Sequence, residues 1–421
     1  MTDRPLPRNV KALSAVSLLT DASSEMITPL LPIFLTTVLG ASATMLGTIE
    51  GLAETVASML KLASGWWSDR VSRRKPLVLA GYGIASLVRP VIAFATAPWH
   101  VLVVRVTDRI GKGIRSSPRD ALIADVTAPQ DRGRAFGFHR AADNFGAVIG
   151  PVVAWLMLEQ AGLGLRTVFL WASVPALLSV VVLFVFVREA ARKSAPTVPG
   201  VAADPTMRAE HAAPAAPVAA MPAPTVTLNA PLGPAFWRYL AVVFVFALGG
   251  SADAFLLLRA SQIGVAAGWI PILWAVHNLV KSVASEPGGR LSDRIGRRPP
   301  IIAGWMIYAA VYVGFIFASA AWHAWGLLLA YGLYFALTEG TEKALVADLV
   351  PAARRGTAFG WFNFATGLAA LPASLAFGLL WDRVGPAAAF SLGAGLAVVA
   401  TVGLMLFVPG GAVAGKQAAQ G

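Results

Sequence analysis

The chain has 421 residues, of which 57% are hydrophobic and 13% charged, with a formal net charge of +12 and no cysteine. A soluble protein of this size carries about 25% charged residues, so this chain has too little polar surface to cover itself in water. The composition indicates a membrane protein, and it excludes disulfides, thiol catalysis and thiolate metal sites. The five histidines lack metal-ligand spacing, so we expect no metal and no bound cofactor.

Apolar stretches of about 20 residues are long enough to span a bilayer as helices. In chain order they cover 11–39, 43–66, 76–96, 99–124, 135–158, 167–187, 236–261, 268–289, 300–320, 324–348, 357–380 and 387–408. The first follows a short basic segment without a small-residue cleavage site, which predicts an uncleaved first helix. The sequence therefore predicts an all-α integral membrane protein with twelve transmembrane helices.

The twelve segments fall into two sets of six. We expect an N-terminal six-helix bundle at 1–187 and a C-terminal six-helix bundle at 236–421. The stretch 188–235 is rich in Ala and Pro, a composition typical of a flexible tether without a core of its own. It is predicted to be a cytoplasmic linker.

Basic residues cluster in alternate short loops. They are Arg70, Arg73, Arg74 and Lys75; Arg132 and Arg134; Arg192 and Lys193; Arg294, Arg297 and Arg298; and Arg354 and Arg355. Cytoplasmic loops carry this excess of Lys and Arg, so both termini are predicted to be cytoplasmic. Because this distribution accounts for the positive charge, we expect no nucleic-acid partner.

Three motifs recur at a nearly constant distance along the chain. Gly65-Trp-Trp-Ser-Asp69-Arg70 returns as Gly289-Arg-Leu-Ser-Asp293-Arg294, and the Ala-Leu-x-Ala-Asp motif ending at Asp125 returns ending at Asp348. The Arg-Gly-x-Ala-Phe-Gly motif at 132–137 returns at 355–360. Two halves of equal topology imply a central site between them.

These motifs resemble those of the major facilitator superfamily over nearly the whole chain. The signature between its second and third helices is represented by Gly65, Asp69, Arg70, Arg73, Arg74 and Lys75, with Ser72 in place of the usual Gly. The resemblance implies that Asp69 faces the start of helix 11, that Arg73 pairs with Asp125, and that Arg297 pairs with Asp348. Such pairs at the membrane edge would act as a conformational latch; topology anchoring alone is the alternative.

The fourth segment carries a row of charges on one side of its helix: Arg105, Asp108, Arg109, Lys112, Arg115 and Arg119. Each charge at the bilayer centre costs about 2.5–3.5 kcal/mol even on the insertion scale, so the row must face water, other charges or a substrate. We predict that it lines a cavity; a structural ion-pair network is the alternative. By resemblance, Arg105 and Gly113 match the superfamily's helix-4 signature, in which the Arg is linked to proton transfer, whereas Asp108 and Arg109 stand where Gln-Gly is usual.

Other intramembrane charges are candidates for the substrate or proton pathway. They are Asp21, Glu25, Glu50 and Glu54 in the first half, and Asp253, His277, Lys281, Glu339 and Glu342 in the second. Either Asp21 or Glu25 is favoured as the carrier of a coupling proton, because a buried carboxylate can hold one. Ordinary pairing with Arg105 or Arg109 remains open.

The fifth segment contains Gly146, Gly150 and Pro151, which permit close helix contact and a kink. They partly resemble the superfamily's antiporter signature and favour export. The expected protein is thus a proton-driven carrier, monomeric, in the bacterial inner membrane, for a small organic solute with an anionic group. The alternatives are proton-coupled uptake of an organic anion or metal chelate, and a non-transporting sensor or scaffold. No nucleophile–base set indicates an enzyme, and no phosphate-binding Lys motif indicates use of ATP.

Overall fold

The computed structural model describes residues 6–68, 71, 73–127, 132–189, 232–351 and 354–408. The predicted linker lies for the most part outside these described residues. Backbone amides and carbonyls have no water to bond within a bilayer, so helices that satisfy them internally are the expected solution. The described residues form twelve helical segments, one for each predicted apolar stretch, in agreement with the predicted fold class.

The first six helices are joined by short loops. They are α1 (Arg8–Ile27, continued by irregular turns to Val38), α2 (Ala43–Ser68), α3 (Lys75–Val88, continued to Phe94), α4 (Pro98–Asp125), α5 (Arg132–Trp155, continued to Gln160) and α6 (Leu165–Trp171 and Ser173–Phe186). Pro76 and Pro98 stand at the starts of α3 and α4, where a missing amide hydrogen costs nothing.

The second six helices repeat this order. They are α7 (Pro234–Gly249 and Ala254–Gln262), α8 (Ile270–Ile295), α9 (Arg298–Phe317), α10 (Ala321–Asp348), α11 (Arg355–Arg383) and α12 (Pro386–Phe407). The end of α8 lies six residues beyond the predicted end at 289, because the helix continues through charged residues after its apolar part stops.

Seven of the described helices are long and apolar enough to cross a membrane by composition alone: α3, α5, α6, α7, α9, α11 and α12. The other five, α1, α2, α4, α8 and α10, are among the helices that carry the predicted pathway residues. Charged side chains are tolerated within a bilayer when they face the bundle interior or a water-filled cavity. The charge content of these five helices therefore indicates that they face the interior.

Two faces of the molecule are used below. The basic face holds the start of α1, the end of α12 and the Arg-rich loops; the far face is the opposite one. The halves meet along α2 with α11 and α5 with α8. Near the far face, the Asp382 carboxylate accepts the backbone N–H groups of Ala43 (2.9 Å) and Thr44 (2.7 Å), which caps the start of α2.

Helices α5 and α8 are in contact near the far face and are more open toward the basic face. The rings of Trp155 and Trp269 lie 5.7 Å apart at the far side. Closer to the basic face, the side chain of Arg140 on α5 is 66% exposed and Val283 on α8 is 69% exposed. The space between the halves is thus closed at the far face and extends toward the basic face.

Candidate functional site

A cavity of about 550 Å³ lies between the two halves. Eight of the predicted pathway residues line it: Glu25 of α1, Glu50 and Glu54 of α2, Arg105, Arg109 and Lys112 of α4, Asp253 of α7 and Lys281 of α8. Four of these side chains are cationic and four are acidic. The volume falls within the range of pockets that hold small molecules.

Arg105 is neutralised within the first half. Its Nε and one terminal nitrogen donate to both oxygens of Glu50, at 2.9 and 2.7 Å. Both side chains are largely buried, and a two-point guanidinium–carboxylate contact fixes orientation as well as charge. One cation and one carboxylate of the cavity wall therefore cancel.

Arg109 and Lys112 have no such partner. Among the described residues, no carboxylate oxygen lies within 4 Å of either cation, and the buried Nε of Arg109 makes no hydrogen bond. The Glu54 carboxylate interacts electrostatically with Arg109 and Lys112 over a longer distance. Since α4 advances 1.5 Å per residue, the two cations project from one helical face a single turn apart. They form a cationic pole of the cavity.

The acidic side of the cavity lies where α7 is interrupted between Gly249 and Ala254. Asp253 accepts a hydrogen bond from the Tyr331 hydroxyl at 2.7 Å. Glu25 of α1 accepts one from the Trp274 indole of α8, also at 2.7 Å. No cationic nitrogen of the described residues lies within 4 Å of either carboxylate. Asp253 and Glu25 form an acidic pole that spans both halves.

Lys281 is engaged within the second half. Its ammonium lies 3.1 Å from Glu339 of α10 and 4.3 Å from the ring centroid of Phe335. Glu339 therefore supports the cavity wall through Lys281 without lining the cavity.

The α4 row divides into two groups, so its expected placement was only partly right. Asp108 is buried and accepts from Arg89 at 2.8 Å, while Arg89 also donates to the Thr20 carbonyl. Arg115 lies over the ring of Tyr82, 4.4 Å from its centroid. The row covers a wide arc, and one edge of that arc packs against α1 and α3 instead of facing the cavity. Asp108 thus fits the ion-pair-network alternative, whereas Arg115 packs on an aromatic ring inside the first half.

Three more predicted residues do not reach the cavity wall. His277 is buried in an aromatic stack between Trp274 and Tyr331, with Nδ1 3.0 Å from the Leu328 carbonyl oxygen. Glu342 accepts the Trp305 indole N–H at 2.8 Å inside the second half. Asp21 faces α5 and α4, where Asp143, Lys112, Arg115 and Arg119 are its electrostatic neighbours.

The glycines of α5 bring α1 close. A Cβ at Gly146 would lie 2.5 Å from the Leu18 carbonyl oxygen and 3.1 Å from Cβ of Asp21. A Cβ at Gly150 would overlap the Ala22 carbonyl oxygen and lie 3.0 Å from Cβ of Glu25. The two glycines therefore allow the part of α1 that carries Asp21 and Glu25 to approach α5 closely. Pro151 lies inside the same helix.

The expected pair of Arg73 with Asp125 was wrong by one residue. Arg74 donates to Asp125 at 2.5 Å and to Ser68 Oγ at 3.0 Å, whereas the side chain of Arg73 is exposed. Asp69 and Arg70 lie outside the described residues. Near the same loop, Gly65 of α2 packs against Ser117 of α4.

The second half shows the equivalent arrangement. Arg297 donates to Asp348 at 3.1 Å, to Ser292 Oγ at 2.9 Å and to Asp293, while Arg294 is exposed. Arg74 and Arg297 each precede a helix whose second residue is proline, Pro76 or Pro299. Counting back from that proline, instead of forward from the Asp-Arg motif, identifies the pairing arginine in both halves.

Sequence reasoning also missed Trp274, Tyr331 and Arg89. Trp274 stands four and seven residues before Asn278 and Lys281, which places all three on one helical face, so the helical spacing could have found it. Tyr331 and Arg89 pair with residues distant in the chain. No local pattern indicates those contacts.

Comparison with known proteins agrees with this architecture. The family model for the Major Facilitator Superfamily matches residues 13–374. An uncharacterised MFS-type transporter of Methanocaldococcus jannaschii is 32% identical over 412 residues, which cover 96% of each chain. A multidrug resistance protein of Photorhabdus laumondii, MdtH, is 32% identical over 133 residues, 31% of this chain and 33% of that one.

Solved structures show the same fold. A bacterial homolog of the human lysosomal transporter Spinster, in an inward-facing and unoccupied conformation, superposes with a TM-score of 0.69 at 17% identity over 96% of each chain. The two-bundle helical architecture with a charged central cavity is that of a membrane transporter. The chain belongs to the Major Facilitator Superfamily. Members of this family carry small-molecule substrates through the membrane.

Proposed function

We propose that this protein is a proton-coupled secondary transporter that exports a small organic solute bearing an anionic group. The observation that carries the proposal is the cationic pole: Arg109 and Lys112 face a cavity between the halves without a carboxylate within 4 Å among the described residues. Unpaired charges at this depth are costly unless water or a ligand compensates them. An anionic group between the two cations supplies that compensation.

The basic face is assigned to the cytoplasm of a bacterial inner membrane. The described loops and helix starts at this face carry Arg73, Arg74, Lys75, Arg297 and Arg298, and cytoplasmic segments carry such an excess. With this assignment, both termini are cytoplasmic and the cavity is open to the cytoplasm, where an exported solute would enter.

The ion pairs at the basic face would control the exchange between conformations. The pairs Arg74–Asp125 and Arg297–Asp348 each join the loop before a helix to the end of another helix of the same half. Movement of one half relative to the other would change the surroundings of both pairs together. Access to the substrate site then alternates between the two faces.

The coupling proton is assigned to Asp21. This carboxylate lies between Lys112 of the cavity and Asp143 of α5, which is 3.7 Å from His139 Nε2. These groups, with Arg115 and Arg119 of α4, connect the cavity with the basic half of the bundle. Protonation of Asp21 would change the charge beside Lys112 and so couple the proton to the state of the cationic pole.

Export is favoured over uptake by two observations. Gly146, Gly150 and Pro151 bring α1 and its carboxylates against α5, and a relative of part of the chain is a multidrug resistance protein. Proton-coupled uptake of an organic anion is the alternative, and the vesicle experiment described next distinguishes the two directions.

The test uses everted membrane vesicles whose interior is acidified by respiration and monitored with a pH-sensitive acridine dye. Benzoate, citrate and glucose phosphate are added singly, with tetraphenylphosphonium as the cationic comparison. We expect at least one anion to dissipate the gradient in vesicles that contain the protein. Lys112→Gln should weaken the effect about tenfold or more, because one charged hydrogen bond is lost.

Lys343→Gln on α10, an exposed cation outside the cavity lining, serves as the matched control. Dissipation by the cation alone would contradict the proposed substrate charge. Accumulation of an anion by right-side-out vesicles with an acid exterior would favour uptake. A folded protein that moves none of these probes in either preparation would support the sensor or scaffold alternative.

A further inference from the structure

The cavity wall carries two separated pairs of charged residues, of opposite sign, that make no ion pair within 4 Å among the described residues. At one pole are Arg109 and Lys112; at the other are Asp253 and Glu25. Within 4 Å, Tyr331 and Trp274 bring only a hydroxyl and an indole N–H to the carboxylates. Opposite charges act at longer range: Glu54 and Asp21 on the cationic pole, and Lys281 on Asp253. The remaining cations of the wall, Arg105 and Lys281, are held by Glu50 and Glu339. A simple anion would compensate one pole and leave the other.

The acidic pole is built for a cation in its geometry as well as its charge. Asp253 and Glu25 come from different halves, and Glu25 is among the electrostatic neighbours of Asp253. The Trp274 indole that holds Glu25 also lines the cavity, and an aromatic face beside two carboxylates is a good environment for a protonated amine.

The distance between the poles follows from α4. Arg105 has Glu25 of the acidic pole among its electrostatic neighbours, so we take its position on α4 as the reference for that pole. Arg109 and Lys112 stand four and seven residues further along the helix. At 1.5 Å per residue, they are displaced by about 6 Å and about 10 Å toward the basic face.

We propose that the transported solute is a zwitterion, whose carboxylate or phosphate lies between Arg109 and Lys112 while its protonated amine lies between Asp253 and Glu25. This inference rests on the proposed function and defines its substrate class more narrowly. A molecule with charges about 6–10 Å apart compensates both poles at once, and the cavity of about 550 Å³ has room for it. Amino-carboxylates longer than an α-amino acid meet this requirement.

The experiment measures the thermal stability of the purified full-length protein with a matched series of probes. The zwitterions are the ω-amino acids from glycine to aminooctanoate; their single-charge counterparts are the carboxylates and the primary amines of equal length. We expect the aminohexanoate-length zwitterions to raise the melting temperature by about 2 °C or more, beyond either counterpart and beyond glycine.

Two variants assign the contacts. Asp253→Asn should reduce the apparent affinity for aminohexanoate by about tenfold to a hundredfold and leave that for hexanoate unchanged. Glu342→Gln removes a carboxylate that also accepts a Trp indole N–H but lies off the cavity, and it should leave both affinities unchanged.

Equal stabilisation by carboxylates and zwitterions would overturn the proposal of a zwitterionic substrate while leaving the proposal of an anionic substrate in place. Stabilisation that persists in Asp253→Asn would overturn the assigned amine contact. If none of the probes shifts the melting temperature at any length, both the zwitterion and the anionic substrate are contradicted.

Discussion

The indole N–H of Trp274 on α8 donates a 2.7 Å hydrogen bond to Glu25 on α1, and this bond joins the two halves of the molecule beside the cavity. A hydrogen bond to a charged acceptor contributes about 1.5–3 kcal/mol. Because the bond crosses between the halves, it stabilises the conformation in which the far face is closed.

Trp274→Phe should therefore shift the protein toward opening at the far face. The natural chain has no cysteine, so Ala43→Cys, buried at the far face, is a clean reporter for a membrane-impermeant maleimide. We expect its labelling rate to rise about tenfold or more in the Trp274→Phe background. Trp305→Phe, which removes a similar indole bond to Glu342 within one half, should leave the rate unchanged; an equal rise in both would refute the role of the cross-half bond.

The buried pair of Glu50 and Arg105 gives a second expectation. Glu50→Gln leaves a buried guanidinium without its partner and should destabilise the protein by about 3–5 kcal/mol. The double change of Glu50→Gln with Arg105→Gln should cost less than the sum of the single changes. Thermal unfolding in detergent, monitored by tryptophan fluorescence, measures the stability of the two single variants and the double variant, which together form a double-mutant cycle.

An exposed pair provides the comparison. Glu286 and Arg290 on α8 are both more than 70% exposed, so Glu286→Gln should cost about 1 kcal/mol or less. Strict additivity of the two single changes at Glu50 and Arg105 would show that the pair is not an energetic unit.

Substitutions at Arg74 and Arg73 distinguish the roles of these two neighbouring residues. Arg74→Gln removes the bonds to Asp125 and Ser68 and should reduce transport strongly, as should Arg297→Gln at the equivalent position of the second half. Arg73→Gln affects an exposed side chain and should have a small effect. The everted-vesicle assay with the acridine dye compares the three variants at equal expression. A larger loss of transport for Arg73→Gln than for Arg74→Gln would contradict the assignment of Arg74 as the pairing residue.

Gly150→Ala should disturb the contact of α1 with α5. The added methyl group would overlap the Ala22 carbonyl oxygen and crowd Glu25, so we expect lower thermal stability and a loss of transport. Gly137→Ala on the same helix meets no atom within 4 Å and should be neutral or stabilising by up to about 1 kcal/mol. If both substitutions were equally tolerated, close packing of α1 on α5 would not hold in solution.

The number and order of helices were predictable because each depends on local composition. An apolar stretch of bilayer length must form a helix, and the repeated motifs around Asp125 and Asp348 indicated the two-fold arrangement. The five charged helices were also identifiable as helices that face the interior, whereas the contribution of the apolar α11 to the cavity wall was not. The ends of the helices were less certain, as α8 shows, because charged residues such as Arg290 and Arg294 continue a helix beyond its apolar part.

The pairing of side chains was not predictable to the same degree. Helical spacing places Arg105, Asp108 and Lys112 on one broad side of α4. Packing against α3 decides that Asp108 meets Arg89, and packing against α2 decides that Arg105 meets Glu50. The count of cations alone also suggested a positive pocket. The four carboxylates on the wall come from three other helices, and only the folded chain brings them together.

The central claim is that Lys112 faces an aqueous cavity between the two halves. The direct measurement is the reaction of Lys112→Cys with a membrane-impermeant maleimide in inside-out and right-side-out vesicles, with Val103→Cys, on the opposite side of the same helix, as the comparison. We expect rapid modification of Lys112→Cys from the cytoplasmic side and none of Val103→Cys from either side. A Lys112→Cys protein that stays unmodified in both vesicle preparations, or reacts no faster than Val103→Cys, would contradict the claim.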